Sequence, residues 1–365
     1  MEYKYSTQNK HQLHWLYSFF TSLIAILCIN LCAVLFVDPF FHYHKPFTEL
    51  FYYDLGIEYQ RYYNAGIIKK FDYDSMIIGT SLTEFFRPTE VQIYLPGNYI
   101  KTPFSGAGWT EINDNITLAC STHNVRRVIR TLDMSDVFFE VEDYRNETYP
   151  SYLYDVNPVN DVYYVINKDT LFAAIEVIVN TLRHEKPGIT SFDDYCNWDS
   201  VVFSKENSLS NYVDYHNPIP STLFTEEEED RLRKNVRKNV INTAEQHPET
   251  TFYYYIPPYS VMVWGNLYKN GDLLKRIGLE RILIEEVLKE PNIKLFSYAN
   301  HTDWATNLDY FYDGIHYSPE INTMILQSMK EETDLITADN YEDYLREEEA
   351  FYSSYPYETI FEDAS

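Results

Sequence analysis

The sequence predicts an α/β domain built on a parallel sheet and carried by an N-terminal membrane helix. Two observations lead there. From Asp74 to Glu331, short apolar runs closed by turn residues alternate with stretches of helical periodicity, the pattern of an open sheet with crossover helices. Ahead of them, Trp15 to Val37 holds no charged residue, and a run of about 23 residues is enough to cross a hydrocarbon core of ~30 Å. The 365 residues suit one large domain or two smaller ones.

Residues 1–14 read as a short cytoplasmic tail and 15–37 as the transmembrane helix. A cleaved signal peptide would have a shorter apolar core and a small-x-small end. This run instead continues through Ala33-Val34-Leu35-Phe36-Val37 to Asp38-Pro39, and Ile29-Asn30-Leu31 is a poor approach to a lipidated Cys32. Lys4 and Lys10 precede the span and Asp38 follows it, so the positive-inside bias puts the N-terminus in the cytoplasm and the bulk of the chain outside. Residues 38–70 read as an aromatic connector with an amphipathic stretch over 55–70.

Strand one is expected over 74–79, followed by a helix over 82–94. Strand two covers 99–104, and a helix over 110–123 shows Ile112, Ile116 and Ala119 on one face. Strand three covers 126–133. Strand four, 251–256, stops at Pro257-Pro258. A helix over 272–289, strand five over 293–298 and a helix over 318–331 with Pro319 at its start complete a domain of 71–331. Between strands three and four lies a detour of about 141–226, punctuated by proline and holding a helix over 171–182. Its size predicts a cap or substrate-facing subdomain rather than one loop, and a helix over 225–247 returns the chain to the sheet. Residues 332–365 are acidic and aromatic and read as a surface-lying or disordered tail.

A net charge of −26 excludes nucleic acid as a partner, because phosphate binding needs a basic face. The 35 tyrosines suit either ordinary packing and half-exposed strands or stacking on sugar rings. Cys28 and Cys32 fall inside the span, leaving Cys120 and Cys196 for one disulfide that their spacing does not demand. No zinc pattern is present and no cofactor is expected. Asn115-Ile116-Thr117, Asn146-Glu147-Thr148 and Asn300-His301-Thr302 match the acceptor pattern for N-glycosylation.

Two short motifs carry chemistry. Gly79-Thr80-Ser81-Leu82 follows strand one, and Asp313-Gly314-Ile315-His316 follows strand five. A nucleophilic serine needs a base, and the base needs an orienting partner. Asp-x-x-His can supply both from one loop, and ligands of open α/β sheets bind beyond the carboxyl ends of the strands, where both motifs fall. Each motif also has a plainer reading. Ser81-Leu82-Thr83-Glu84 fits a helix capping box, with Gly79 permitting a tight turn. Asp313-Gly314 fits a turn.

With these blocks the chain resembles the SGNH (GDSL-like) hydrolase superfamily. Its first block matches Gly79-Thr80-Ser81-Leu82, with Thr80 where many members have Asp. The second, a Ser-Gly pair after strand two, matches Ser105-Gly106, and the last matches Asp313 and His316. The third block departs: where members carry Gly-x-Asn-Asp, this chain has Asp133-Met134-Ser135-Asp136, so Ser135 stands in the place of the oxyanion-binding Asn. Asn160-Asp161 also spells the pair, but within the detour. The resemblance implies a three-layer α/β/α sandwich with a flavodoxin-like sheet of about five strands. It implies a triad of Ser81, His316 and Asp313, and an oxyanion hole from the amides of Ser81 and Gly106 with Ser135 as the third donor.

The anchor, the altered block and the insertion together resemble bacterial envelope proteins that place acyl groups on polysaccharides, such as the D-alanyl-transfer protein of teichoic acids and the alginate acetylation proteins. These often work beside a multi-span membrane O-acyltransferase. The resemblance implies an acyl donor and an envelope polysaccharide as partners, and an acyltransferase or esterase activity. The rivals are a catalytically inactive scaffold or binding protein of an envelope assembly, and a surface lipase. A lipase should have an apolar cap, whereas the detour is rich in Asp, Asn and Tyr.

Overall fold

In a computed structural model, residues 2–53, 55–134, 149–183, 191–198 and 201–361 are described. They form two compact units, one of residues 1–54 with 151–188 and one of 55–150 with 189–365. The connector and the detour expected from sequence are therefore each divided between the two.

In the first unit a helix runs Glu2–Val37. It begins well before Trp15, because the preceding residues include Lys and Gln, good helix formers, and neither Gly nor Pro. Within its segment Gln12–Val37 the most apolar 18-residue window has a mean hydropathy of 2.6 and is 11% buried, and the segment is long and apolar enough to span a membrane. The helix ends at Asp38, whose φ of 44° turns the chain. The buried Asp38 carboxylate accepts the amides of His42, Tyr43 and His44 at 3.0, 2.6 and 2.8 Å and the hydroxyl of Tyr164 at 2.7 Å. Tyr53 caps the same end by donating its hydroxyl to the carbonyl of Val37 at 2.8 Å. A second helix, Lys168–Leu182, starts at Asn167, whose side chain accepts the Asp169 amide, and packs on the first.

The second unit holds a five-stranded, all-parallel sheet in the order β2-β1-β3-β4-β5. The strands are β1 Ser75–Ile78, β2 Tyr99–Lys101, β3 Arg127–Thr131, β4 Thr251–Ile256 and β5 Ile293–Ser297. Parallel strands lie buried on both faces and so read as apolar runs. β1 is buried throughout, as is β4 from Phe252 to Ile256. In register, Met76 of β1 lies between Ile100 of β2 and Val128 of β3. β1 therefore has β2 on one side and β3 on the other, and a sheet of this order reverses direction there, opening a crevice beyond the end of β1.

The helix Trp109–Thr122 buries Ile112, Ile116 and Ala119, the face its spacing predicts. The helix Gln60–Lys70 buries Tyr63, Ile67 and Ile68, so this part of the expected connector belongs to the sheet unit. The helix leading to β4 is interrupted by a π segment at Arg237–Ile241. Inside it the Asn239 carbonyl accepts from Nη1 of the fully buried Arg130 at 2.7 Å, a bond the wider turn leaves room for. Residues 341–359 are not a loose tail. Helix Tyr341–Ser354 buries Leu345, Glu348 and Tyr352, and Tyr352 stacks on Trp264 at 3.9 Å between ring centroids. Acidic composition hid an amphipathic helix. Many of the tyrosines are core residues, Tyr254, Tyr255, Tyr259 and Tyr298 among the largest fully buried side chains.

Candidate active site

The turn after β1 begins at Gly79. A Cβ there would come within 2.6 Å of Thr83 and 2.9 Å of Thr131, so the glycine is required by close packing rather than by backbone conformation. Thr80 accepts the Leu82 amide as the side-chain cap of a short 3-10 turn, Ser81–Thr83, and donates its hydroxyl to Asp133 at 2.9 Å. Asp133 is held in turn by the hydroxyl of Tyr259, while its carbonyl accepts the Trp109 indole at 3.2 Å. The capping box expected of Ser81 and Glu84 is not formed. Thr80 takes the capping role, Glu84 turns inward, and the regular helix starts later, at Pro88. Ser81 is left available for another partner.

That partner is His316. Ser81 Oγ lies 2.7 Å from His316 Nε2, and His316 Nδ1 lies 2.7 Å from Asp313 Oδ2. Residues 313–316 are the tip of a narrow loop, closed by the bridge between Phe311 and Tyr317 and by the Tyr312 amide donating to the His316 carbonyl at 2.9 Å. Gly314 takes φ +88° at this tip, a conformation that favours glycine, and its carbonyl accepts the Ser260 hydroxyl at 2.5 Å. The second Asp313 oxygen accepts the amides of Ile315 and His316 at 3.1 and 2.9 Å, which fixes the carboxylate in place. Burial acts to raise the Asp313 pKa, but its hydrogen bonds from the ring and amide of His316, the charge of that ring and the Ile315 amide hold it below the ordinary carboxylate value. An ionised carboxylate can only accept. With Nδ1 donating to that carboxylate, Nε2 of a neutral His316 ring is left to accept the Ser81 hydroxyl.

Two side chains without a motif join this arrangement. Trp198 lies against the His316 ring with 4.6 Å between centroids, and its indole N–H donates to Glu84. Glu84 is buried and also accepts from Gln60 Nε2 at 2.6 Å and Ser105 Oγ at 2.5 Å. Burial pushes its carboxyl pKa up, against the pull of these three donors and of His316. Lys101, at the end of β2, donates to the Glu84 carbonyl at 2.6 Å, and burial brings its pKa down to about 8. Glu84 thus connects the turn after β1, the loop after β2 and the segment that carries Trp198. Its spacing from Ser81 points to a cap, and Trp198 has no neighbouring pattern to single it out.

The loop after β2 lies alongside the same turn, with the Phe104 amide donating to the Gly79 carbonyl at 2.8 Å. Gly106 in that loop has φ +64° and open space where a Cβ would stand. Ser135, the expected third oxyanion donor, lies outside the described residues, as does Asn146. Asn160 and Asp161 belong to the other compact unit, where Asn160 donates to Asp155 at 2.7 Å and Asp161 faces His42 at 3.1 Å. Asn115 is buried and donates to the Glu111 carbonyl, so its sequon is closed to modification in the folded protein. Cys120 and Cys196 are unpaired. Among the described residues no group of His, Cys, Asp and Glu could hold a metal ion. No protein-family model matches the chain, and no curated protein sequence matches it.

Proposed function

We propose that this chain is a membrane-anchored serine acyltransferase or esterase of SGNH type, acting on acyl groups of a cell-envelope polysaccharide outside the cell. The observation that carries this is the unbroken chain of two 2.7 Å hydrogen bonds from Ser81 through His316 to Asp313. Direct reach of this kind is what a serine nucleophile and its base require. In the proposed reaction Ser81 Oγ attacks the acyl carbonyl while His316 Nε2 takes the hydroxyl proton. The tetrahedral intermediate collapses as His316 returns that proton to the leaving group, and the acyl group stays on Ser81 as an ester. A sugar hydroxyl or water then gives its proton to His316 as it attacks the ester, and the second tetrahedral intermediate collapses as His316 returns that proton to Ser81 Oγ, freeing the acylated product. Asp313 keeps His316 in the tautomer that both steps need. The amides of Ser81 and Gly106 are the proposed oxyanion donors.

The sheet unit is proposed to be a three-layer α/β/α sandwich, with the part of the detour that carries Trp198 forming its cap. The helix Glu2–Val37 is proposed to anchor it with the N-terminus in the cytoplasm. A multi-span O-acyltransferase is the proposed membrane partner. A fluorophosphonate probe tests the chemistry: it should label the purified full-length chain and leave Ser81→Ala unlabelled. An unlabelled wild-type chain would transfer support to the non-catalytic scaffold reading.

A further inference from the structure

We propose that the helix Lys168–Leu182 lies in the lipid interface beside the span, with Phe172, Ile175, Val179 and Leu182 against acyl chains. This rests on Gln12–Val37 crossing the membrane. Both helices belong to one compact unit and pack on each other. From Gln12 to Ile29 the side chains of the span are exposed. Those drawn into the protein are Asn30, Ala33, Val34 and Val37, one stripe at its C-terminal end. The second helix therefore meets the first at that end.

Length places that end at the membrane surface. The apolar segment has 26 residues, about 39 Å at 1.5 Å per residue, against a hydrocarbon core of ~30 Å. The surplus of roughly six residues matches the stretch that the protein covers.

The second helix has two apolar faces. Thr170, Ala173, Ala174 and Val177 are buried on one. At about 100° per residue, Phe172, Ile175, Val179 and Leu182 fall together on the opposite side. Phe172 is 61% exposed, Ile175 45% and Leu182 74%. The outward face of a helix in water is normally polar; here Glu176 and Asn180 form a polar strip at the edge of that face, and the rest of it is apolar. Lys168 and Arg183 stand at its two ends, where they can meet lipid phosphates. The span continues the apolar surface at the same level with Leu31, Leu35 and Phe36, all exposed. The neighbour supplied by that continuity is lipid.

The test uses the full-length chain in phosphatidylcholine vesicles with a nitroxide on the acyl chains. The four native cysteines are replaced by alanine, and one environment-sensitive fluorophore is attached at a time through Phe172→Cys, Ile175→Cys or Leu182→Cys. Leu23→Cys reports on the span and Lys234→Cys on a solvent-facing position. The expected result is loss of fluorescence at the three helix positions comparable with that at Leu23, and none at Lys234. Quenching at Leu23 with the three positions resembling Lys234 overturns the interfacial helix and leaves the span intact; the stripe would then face water or await a protein partner. No quenching at Leu23 removes the span, and this proposal with it.

Discussion

Ser81 shows how one residue can be tested for two roles. Its hydroxyl reaches His316, while Thr80 supplies the side-chain cap of the turn. Ser81→Ala and Ser81→Gly should therefore both leave the thermal midpoint close to wild type and both lose the acyl-enzyme and nearly all turnover. Wild-type acyl transfer by Ser81→Gly would make the serine structural. Asp313→Asn should keep the loop but remove the constraint on the His316 tautomer, lowering kcat by about 10⁴ on an activated aryl acetate, the size of loss that such a change brings to a triad. Trp198 positions the ring from the side. Trp198→Ala should lower kcat by up to about 10², as loss of alignment can, with KM little changed. Trp198→Phe should recover much of this, because the ring remains while the bond to Glu84 is lost. The meeting of Ser81, His316 and Asp313 was legible because the proposed chemistry calls for two short local motifs. Trp198 was not, because it reaches the site by a detour whose path no local spacing fixes. Glu84 was misread because a spacing of three residues fits a capping box equally well.

At the scale of elements, the five strands were legible for the reason that buries them: a strand covered on both faces is a short apolar run, and Ser75–Ile78 and Thr251–Ile256 are such runs. The C-terminal helix was hidden by its charge, although Leu345, Glu348 and Tyr352 stand at helical spacing. It is held by the stack of Tyr352 on Trp264, and it buries Glu348 near Arg276 and Glu280. Tyr352→Ala should cost about 3 kcal/mol of unfolding free energy, the scale of losing a buried aromatic ring, read from a denaturant midpoint. Burial, with Glu280 nearby, raises the Glu348 pKa well above the ordinary value despite the charge of Arg276. Between the ordinary value and the raised one, such a shift leaves a proton on the folded protein that the unfolded chain has lost. The stability this contributes is complete below the ordinary glutamate pKa and declines as pH rises toward the raised value. Glu348→Gln should flatten that decline when unfolding is followed from pH 5 upward. An unchanged slope would mean that Glu348 is ionised beside Arg276.

At the scale of the molecule, the proposed topology makes a direct prediction. Protease added to intact cells or protoplasts should digest the sheet unit, and full protection of that unit would overturn the external location. The sequence disclosed an apolar helix and a sheet domain but not the division between the two units, because contacts that close a discontinuous unit leave no local trace. Asp38 makes that division consequential during synthesis. The hydroxyl that completes its hydrogen bonds belongs to Tyr164, 126 residues further along. At ~5–20 residues per second, the ribosome reaches Tyr164 roughly 6–25 s after Asp38. Asp38 therefore emerges from the ribosome by the same interval ahead of Tyr164 and of the helix Lys168–Leu182 that packs on the first helix. Under the proposed anchoring, the nascent chain should in that interval be held by an insertase or chaperone that guards half-made membrane proteins. Chains stalled before Tyr164 should cross-link to such a guardian through Val34→Cys, and chains stalled well beyond Leu182 should have let it go.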